Sequence, residues 1–178
     1  PVVRDGQRER TLTLPPGTWI GWWDGESHEG PGEVTVEAPL ERLPLFIAAG
    51  SPVPMLRDSI DTTAPVAEGS DVDSFVADPG VLTVRLTRGP ETAFVVYDGT
   101  VLKQTPQETG LSLRILPGEL FVQGIELEVI GLGTEPSAVL VDDETVETDQ
   151  WTFSEELGGL LRIVLEHGAE HLQLVTTP

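Results

Sequence analysis

Cysteine and asparagine are absent from the 178 residues, and lysine, methionine and tyrosine occur once each. Without cysteine there is no disulfide framework and no thiolate metal site, so the core must hold unaided. The same absence fits a reducing compartment and makes the cytoplasm the expected location. Without asparagine there is no N-glycosylation site. Basic side chains are scarce, 10 against 30 acidic ones, for a formal net charge of -20. A chain so acidic is expected to bind neither nucleic acid nor an anionic membrane, because both are polyanions. No apolar run reaches the roughly 18 residues of a membrane-spanning helix. The opening PVVRDGQRER lacks the charged and apolar regions of a signal peptide and has no initiating Met, so the chain reads as a piece of a longer protein or a processed product. Length excludes one architecture outright: a (β/α)₈ barrel takes at least about 200 residues.

Helical periodicity is also missing. The nearest candidate, Ser154 to Leu161, is broken by Gly158-Gly159. What is present instead is alternation with period 2, in Thr11–Leu14, Glu33–Glu37, Leu82–Thr87, Leu111–Ile115 and Ile125–Val129. That pattern marks strands with one buried face. More continuous apolar runs, Leu45–Ala49 and Ala138–Val141, fit inner strands. Gly and Pro punctuate at short intervals, as at Pro15-Pro16-Gly17, Pro31-Gly32, Pro79-Gly80 and Pro117-Gly118. The expected fold is all-β, two antiparallel β-sandwich domains, the first small and incomplete.

Charge divides the chain unevenly. Residues 1–57 carry 8 acidic and 5 basic side chains, and residues 58–178 carry 22 and 5. Arg57 to Gly80 is acidic and poor in large apolar residues, as a linker or exposed loop would be. The expected units are a first sandwich over 1–62, an acidic linker or loop over 63–80, and a second sandwich over 81–178. Fewer than 60 residues is small for an independent core, so the first part is expected to lean on the second or on further polypeptide.

The most specific stretch runs from Pro15 to Met55, PPGTWIGWWDGESHEGPGEVTVEAPLERLPLFIAAGSPVPM. It reads as a turn, a Trp-rich strand, a hairpin at Asp24-Gly25, an alternating strand, and two apolar strands broken at Gly50. The ordered set Leu14, Pro16, Gly17, Trp19, Trp23, Gly25, Glu26, Ala38, Pro39, Leu40, Pro44, Leu45, Phe46, Ala49, Gly50, Ser51, Pro54 and Met55 resembles the C-terminal region of glycoside hydrolase family 31, the α-glucosidases and α-xylosidases. In that family a (β/α)₈ barrel is followed by a proximal and a distal β-sandwich. The resemblance implies that residues 81–178 form the distal sandwich, with Tyr97-Asp98-Gly99 in place of a longer acidic turn, and that Pro1-Val2 ends a family strand. It also implies that the catalytic aspartates lie in the barrel, so no catalytic residue falls on this chain and no cofactor is expected.

Three groups of residues invite a functional reading. Trp19, Trp22 and Trp23 could form a carbohydrate platform, although core or interface packing is the stronger expectation for large aromatics. In a strand Trp19 and Trp23 would share one face and leave Trp22 exposed on the other. His167 and His171 have the spacing of a helical zinc pair, but their apolar flanks read as hairpin strands turning at Gly168, with both histidines exposed. His28 is placed in a loop. The acidic runs Asp142-Asp143-Glu144 and Asp71, Asp73, Asp78 lack the spacing of a calcium loop, and no metal site is expected.

The expected role is therefore structural: to pack on a barrel through Leu45, Phe46, Ile47, Pro54 and Met55 and one face of the Trp strand. The expected partners are that barrel, an oligosaccharide on the alternative reading as a binding module, and a second copy of the chain when the docking surface is left bare.

Overall fold

The computed structural model describes residues 6–108 and 110–176, so Pro1-Val2 lies outside the described residues. Three strands make the first unit: β1 (Glu9–Gly21), β2 (Ser27–Glu37) and β3 (Phe46–Ala48), in the order β2-β1-β3. The alternating Thr and Val side chains set the β1–β2 register, placing Thr11 opposite Thr35 with their hydroxyls 2.9 Å apart. Pro15-Pro16-Gly17 does not turn the chain. β1 runs through it with a register shift between Leu14 and Gly17, a bulge, which is where a central strand tolerates proline. Gly30 opposite is required by close approach: a Cβ there would stand 1.9 Å from the Pro15 carbonyl oxygen. The tight turn expected there becomes a kinked continuous strand. His28 is likewise in β2 and not in a loop.

At Gly50, with φ at +82°, the chain leaves this sheet. β3 stays with β1, while β4 (Val53–Met55) pairs antiparallel with β5 (Leu82–Thr87). Gly50 N–H donates to Thr87 Oγ1 at 3.0 Å, and a Cβ would meet Pro90 O at 2.5 Å. β4 thus joins the second unit, upstream of the boundary expected near residue 62.

That second unit is a two-layer sandwich. One sheet has the order β12-β13-β9-β5-β4, with β9 (Ile125–Ile130), β12 (Trp151–Ser154) and β13 (Leu160–Leu165). Its β5–β9 pair is parallel and its other pairs are antiparallel. The other sheet has the order β11-β10-β14-β8-β7-β6, with β6 (Thr92–Val95), β7 (Val101–Gln107), β8 (Gly110–Leu116), β10 (Ala138–Val141), β11 (Glu144–Thr145) and β14 (His171–Val175). Alternation puts Leu111, Leu113, Ile115, Leu172 and Leu174 of one sheet against Val84, Leu86, Leu127, Val129 and Leu161 of the other, all essentially inaccessible. Burying each such side chain stabilises by about 1.5–3 kcal/mol. Leu160–Leu165 and His171–Val175 are not a hairpin: β13 and β14 lie in opposite sheets, and residues 166–170 cross between them.

The acidic stretch 57–80 is a structured loop. Thr62 and Ser74 form a β-bridge, Ser74 is buried with its hydroxyl donating to Ala64 O at 2.7 Å, and Phe75 packs against the sandwich core.

A second apolar cluster joins the two units. Ile20 and Ile47 of the small sheet bury against Ile130 and Leu160, on the outer face of the five-stranded sheet, with Trp22, Val53 and Leu157 at the margin. The first unit leans on the second, as its size demands.

Candidate functional site

The hairpin between β1 and β2 closes by local hydrogen bonds. Gly21 N–H donates to Glu26 O at 2.8 Å, Gly25 N–H to Gly21 O at 3.0 Å, and the Asp24 carboxylate accepts from Glu26 N–H at 2.9 Å. Gly25 takes φ of +72°, which favours glycine at this turn. β1 ends at Gly21, so Trp22 and Trp23 sit in the loop and strand alternation does not govern them.

The exposure of the tryptophans is accordingly the reverse of the expectation. Trp22 is half-buried, with the Arg85 guanidinium 4.1 Å from its ring centroid. Trp23 is 44% exposed, its indole N–H donating to Leu43 O at 2.7 Å and Arg42 standing 5.7 Å from its ring. Trp19 lies in β1 opposite Ala48 and donates to Pro15 O at 2.9 Å.

The loop, β2 and the segment after it wall a cleft of about 400 Å³, lined by Trp22, Trp23, His28, Arg42, Leu45 and Phe46 among others. His28 meets Phe46 edge to face, with ring centroids 5.5 Å apart. Asp24, Glu26 and Glu37 line the same cleft. Beside it Leu40, Leu43 and Leu45 are 70%, 54% and 39% exposed, a local density of bare leucine unusual for a solvated loop.

Of the five residues expected to dock, Leu45 and Phe46 line this cleft. Ile47 does not: at 4% exposure it belongs to the cluster with Ile20, Ile130 and Leu160, because it faces inward from the short β3. Pro54 and Met55 are half-buried in β4, opposite Val84 and Thr83. Leu40, Leu43 and Arg42 were not among the residues expected to dock, although Leu40 belongs to the ordered set that carries the resemblance. The signal was available in Leu40-Glu41-Arg42-Leu43-Pro44-Leu45, an apolar-rich run with no pairing strand.

Beneath the loop, three charges lie in register across the five-stranded sheet, on the face away from the sandwich core: Arg85, Glu128 and Arg162. Glu128 is buried and accepts from Arg85 Nε and Nη2 at 2.9 and 2.7 Å and from Arg162 Nε at 2.9 Å. Burial pulls the Glu128 carboxyl upward, but hydrogen bonds from Arg85 and Arg162, with their charges, hold it below the ordinary carboxylate value.

The remaining candidates do not come together. His171 is half-buried, its Nε2 2.7 Å from Ser112 Oγ, while His167 is exposed at the far side of the turn. Asp142 is occupied in accepting from Glu170 and His171 N–H groups. Among the described residues, no three His, Asp or Glu side chains converge to hold a metal ion.

Residues 1–53 match the model of the glycosyl hydrolase family 31 C-terminal domain. That match covers the first 53 of the 178 residues, and over them the chain is similar to the C-terminal domain of glycoside hydrolase family 31. It is similar to a sulfoquinovosidase of Escherichia coli (strain K12), 45% identical over 51 residues, 29% of this chain and 7% of that protein. It is also similar to alpha-glucosidase 2 of Bacillus thermoamyloliquefaciens, 30% identical over 103 residues, 58% of this chain and 13% of that protein. Among solved structures, a cycloalternan-forming enzyme from Listeria monocytogenes matches 99% of this chain and 18% of its own, with a TM-score of 0.74 and 21% identity. A Flavobacterium johnsoniae family 31 dextranase matches 99% and 25%, with a TM-score of 0.70 and 17% identity. The chain therefore spans a small share of each relative, and the fold likeness extends over both of its units.

Proposed function

We propose that this chain is the non-catalytic C-terminal β-sandwich region of a retaining α-glycosidase of the α-glucosidase or α-xylosidase type, and that its cleft face packs on a (β/α)₈ catalytic barrel. The observation that carries this reading is the bare cluster of Leu40, Leu43, Leu45 and Trp23 beside the cleft. It sits on the unit that matches the family model. Such a patch at the rim of a small unit fits an interface, not a solvated surface. The matching short length supports a role without catalysis, since a barrel cannot fit in it. The purified chain is expected to bind a hydrophobic dye, to pair with a second copy in sedimentation, and to leave an aryl α-glucoside unhydrolysed. Turnover by the chain alone, or a monomer that binds no dye, contradicts the proposal.

The second reading, a carbohydrate-binding module, is favoured by one observation, the exposed Trp23 ring in a concave site. Arg42 over that ring and the engaged indole N–H leave less of it for a sugar. Quenching of tryptophan fluorescence by a malto-oligosaccharide, abolished in Trp23→Ala, would favour this reading over docking.

A further inference from the structure

The geometry points to Arg85 as a positioning residue: from the distal sandwich it fixes the aromatic loop Trp22–Gly25 that forms one wall of the cleft. The charged row lies on the outer face of its sheet, so the sandwich core does not call for it. Replacing buried ion networks with apolar residues is often neutral for stability, which leaves their geometry to be explained. Here the geometry is specific. One Glu128 oxygen, Oε2, accepts from both Nε and Nη2 along one edge of the Arg85 guanidinium, and the other, Oε1, accepts from Arg162 Nε. With that edge engaged, the guanidinium is held on the Glu128 side and its remaining nitrogen is left to face the loop. Its Cζ lies over the Trp22 ring, 4.1 Å from the centroid, and its remaining nitrogen, Nη1, lies 3.4 Å from the Trp22 carbonyl oxygen. A single residue of the loop is thus addressed at both ring and backbone from another unit.

The far end of the loop is gripped as well. A Cβ on Gly25 would fall 1.9 Å from Leu157 O, so loop and turn are in backbone contact. Leu157 is held at φ of +50° between β12 and β13, in the left-handed region, and its carbonyl accepts from Gly131 N–H at 3.0 Å. Strain of this kind persists where surrounding structure enforces it. Both anchors come from the distal sandwich, and between them Trp23 is presented at the cleft. The distal sandwich thereby acts as a buttress for the cleft and not as an independent module. That the loop so held serves docking rests on the function proposed above; the positioning itself does not.

Amide hydrogen exchange on the full chain separates the two. The reporters are the Trp22 and Gly25 N–H groups, bonded to Leu45 O and Gly21 O, with Leu113 in the sandwich core as the control. Loss of a desolvated cation–π contact in Arg85→Met should speed exchange at both reporters about tenfold and leave Leu113 unchanged. Arg85→Lys, which keeps the charge but not the fork, should recover only part of the protection. If Arg85→Met does not fold, Arg85→Lys carries the test, with loop exchange faster than in the parent and Leu113 unchanged. Unchanged exchange at the loop, or equal acceleration at loop and Leu113, overturns the positioning role. A loosened loop with dye binding and self-association unaltered upholds positioning and removes the docking reading.

Discussion

Arg57 and Asp73, 16 residues apart in sequence, form a two-pronged ion pair that closes the acidic loop between β4 and β5. Arg57 Nη2 also donates to Asp78 O at 3.0 Å, so one cation ties down both later turns of the loop. The hydrogen bond from Arg57 is the main reason the Asp73 carboxyl is held below its ordinary value, against the opposing effect of burial. With Asp73→Ala the loop should open locally while Phe75 stays on the core. Glu68 lies within this loop and is exposed. Cleavage after Glu68 by a glutamate-specific protease should therefore speed up, with little change in Tm. Equal cleavage rates in variant and parent would mean that the pair does not close the loop.

Glu128 makes a different contribution, because it is buried between two arginines. Its carboxyl is held below the unfolded value, so the stabilisation is present above the ordinary carboxylate range and is lost as pH falls through the lowered value. Glu128→Gln should cost about 1–3 kcal/mol at pH 7, the scale of hydrogen bonds to charged groups. The gap in Tm between parent and variant should hold above the ordinary carboxylate range and narrow as pH falls below it. A gap independent of pH would assign the loss to packing.

Period-2 alternation made most of the sandwich legible, because Leu82–Thr87, Leu111–Ile115 and Ile125–Val129 each bury one face in a shared core. The pairing of those strands was not legible. β13 and β14 are neighbours in sequence with a Gly turn between them, and either a hairpin or a crossover satisfies that pattern; only the partners Ile125–Val129 and Gly110–Arg114 decide it. Loop chemistry also overrode alternation at Trp22 and Trp23, where Asp24 and Gly25 end the strand two residues earlier than an aromatic run suggests. At the candidate site, Leu45 and Phe46, named for docking because they are apolar and ordered like the family's residues, line the cleft. Ile47 was misplaced because burial within the chain and burial against a partner leave the same mark in sequence. Arg85 carried no signal at all, since its role depends on Glu128, Arg162 and Trp22 meeting from distant positions.

Gly25 and Gly133 distinguish two requirements for glycine. Both take positive φ, +72° and +76°, but a Cβ on Gly133 meets nothing within 4 Å. Gly133→Ala should therefore cost only the conformational penalty, about 1–2 kcal/mol. Gly25→Ala adds a clash with the Leu157 carbonyl, and backbone must move to relieve it. Its loss should exceed that of Gly133→Ala, with a larger fall in the urea midpoint. The extra disturbance should appear as tryptophan emission shifted by the displaced loop. Equal midpoints would show that the loop and the Leu157 turn separate without cost.

Leu43 and Ile47 provide the opposing test on the cleft face. Leu43 is 54% exposed, so Leu43→Ser removes little buried area within the chain and should change stability by no more than about 0.5 kcal/mol. If the bare leucines form a docking surface, the same substitution, with Leu40→Ser, should lower dye binding and self-association. Ile47 is 4% exposed among Ile20, Ile130 and Leu160, and Ile47→Ala should cost about 2–5 kcal/mol through lost contacts and a cavity between the two units. That loss should loosen the small sheet and raise dye binding, the reverse of the effect at Leu43. Dye binding that falls in Leu43→Ser and rises in Ile47→Ala assigns the first residue to an interface with another surface and the second to the interface inside the chain. Unaltered dye binding in the Leu40→Ser, Leu43→Ser double variant would remove the bare leucines from any docking role, since no other property of these exposed side chains calls for leucine.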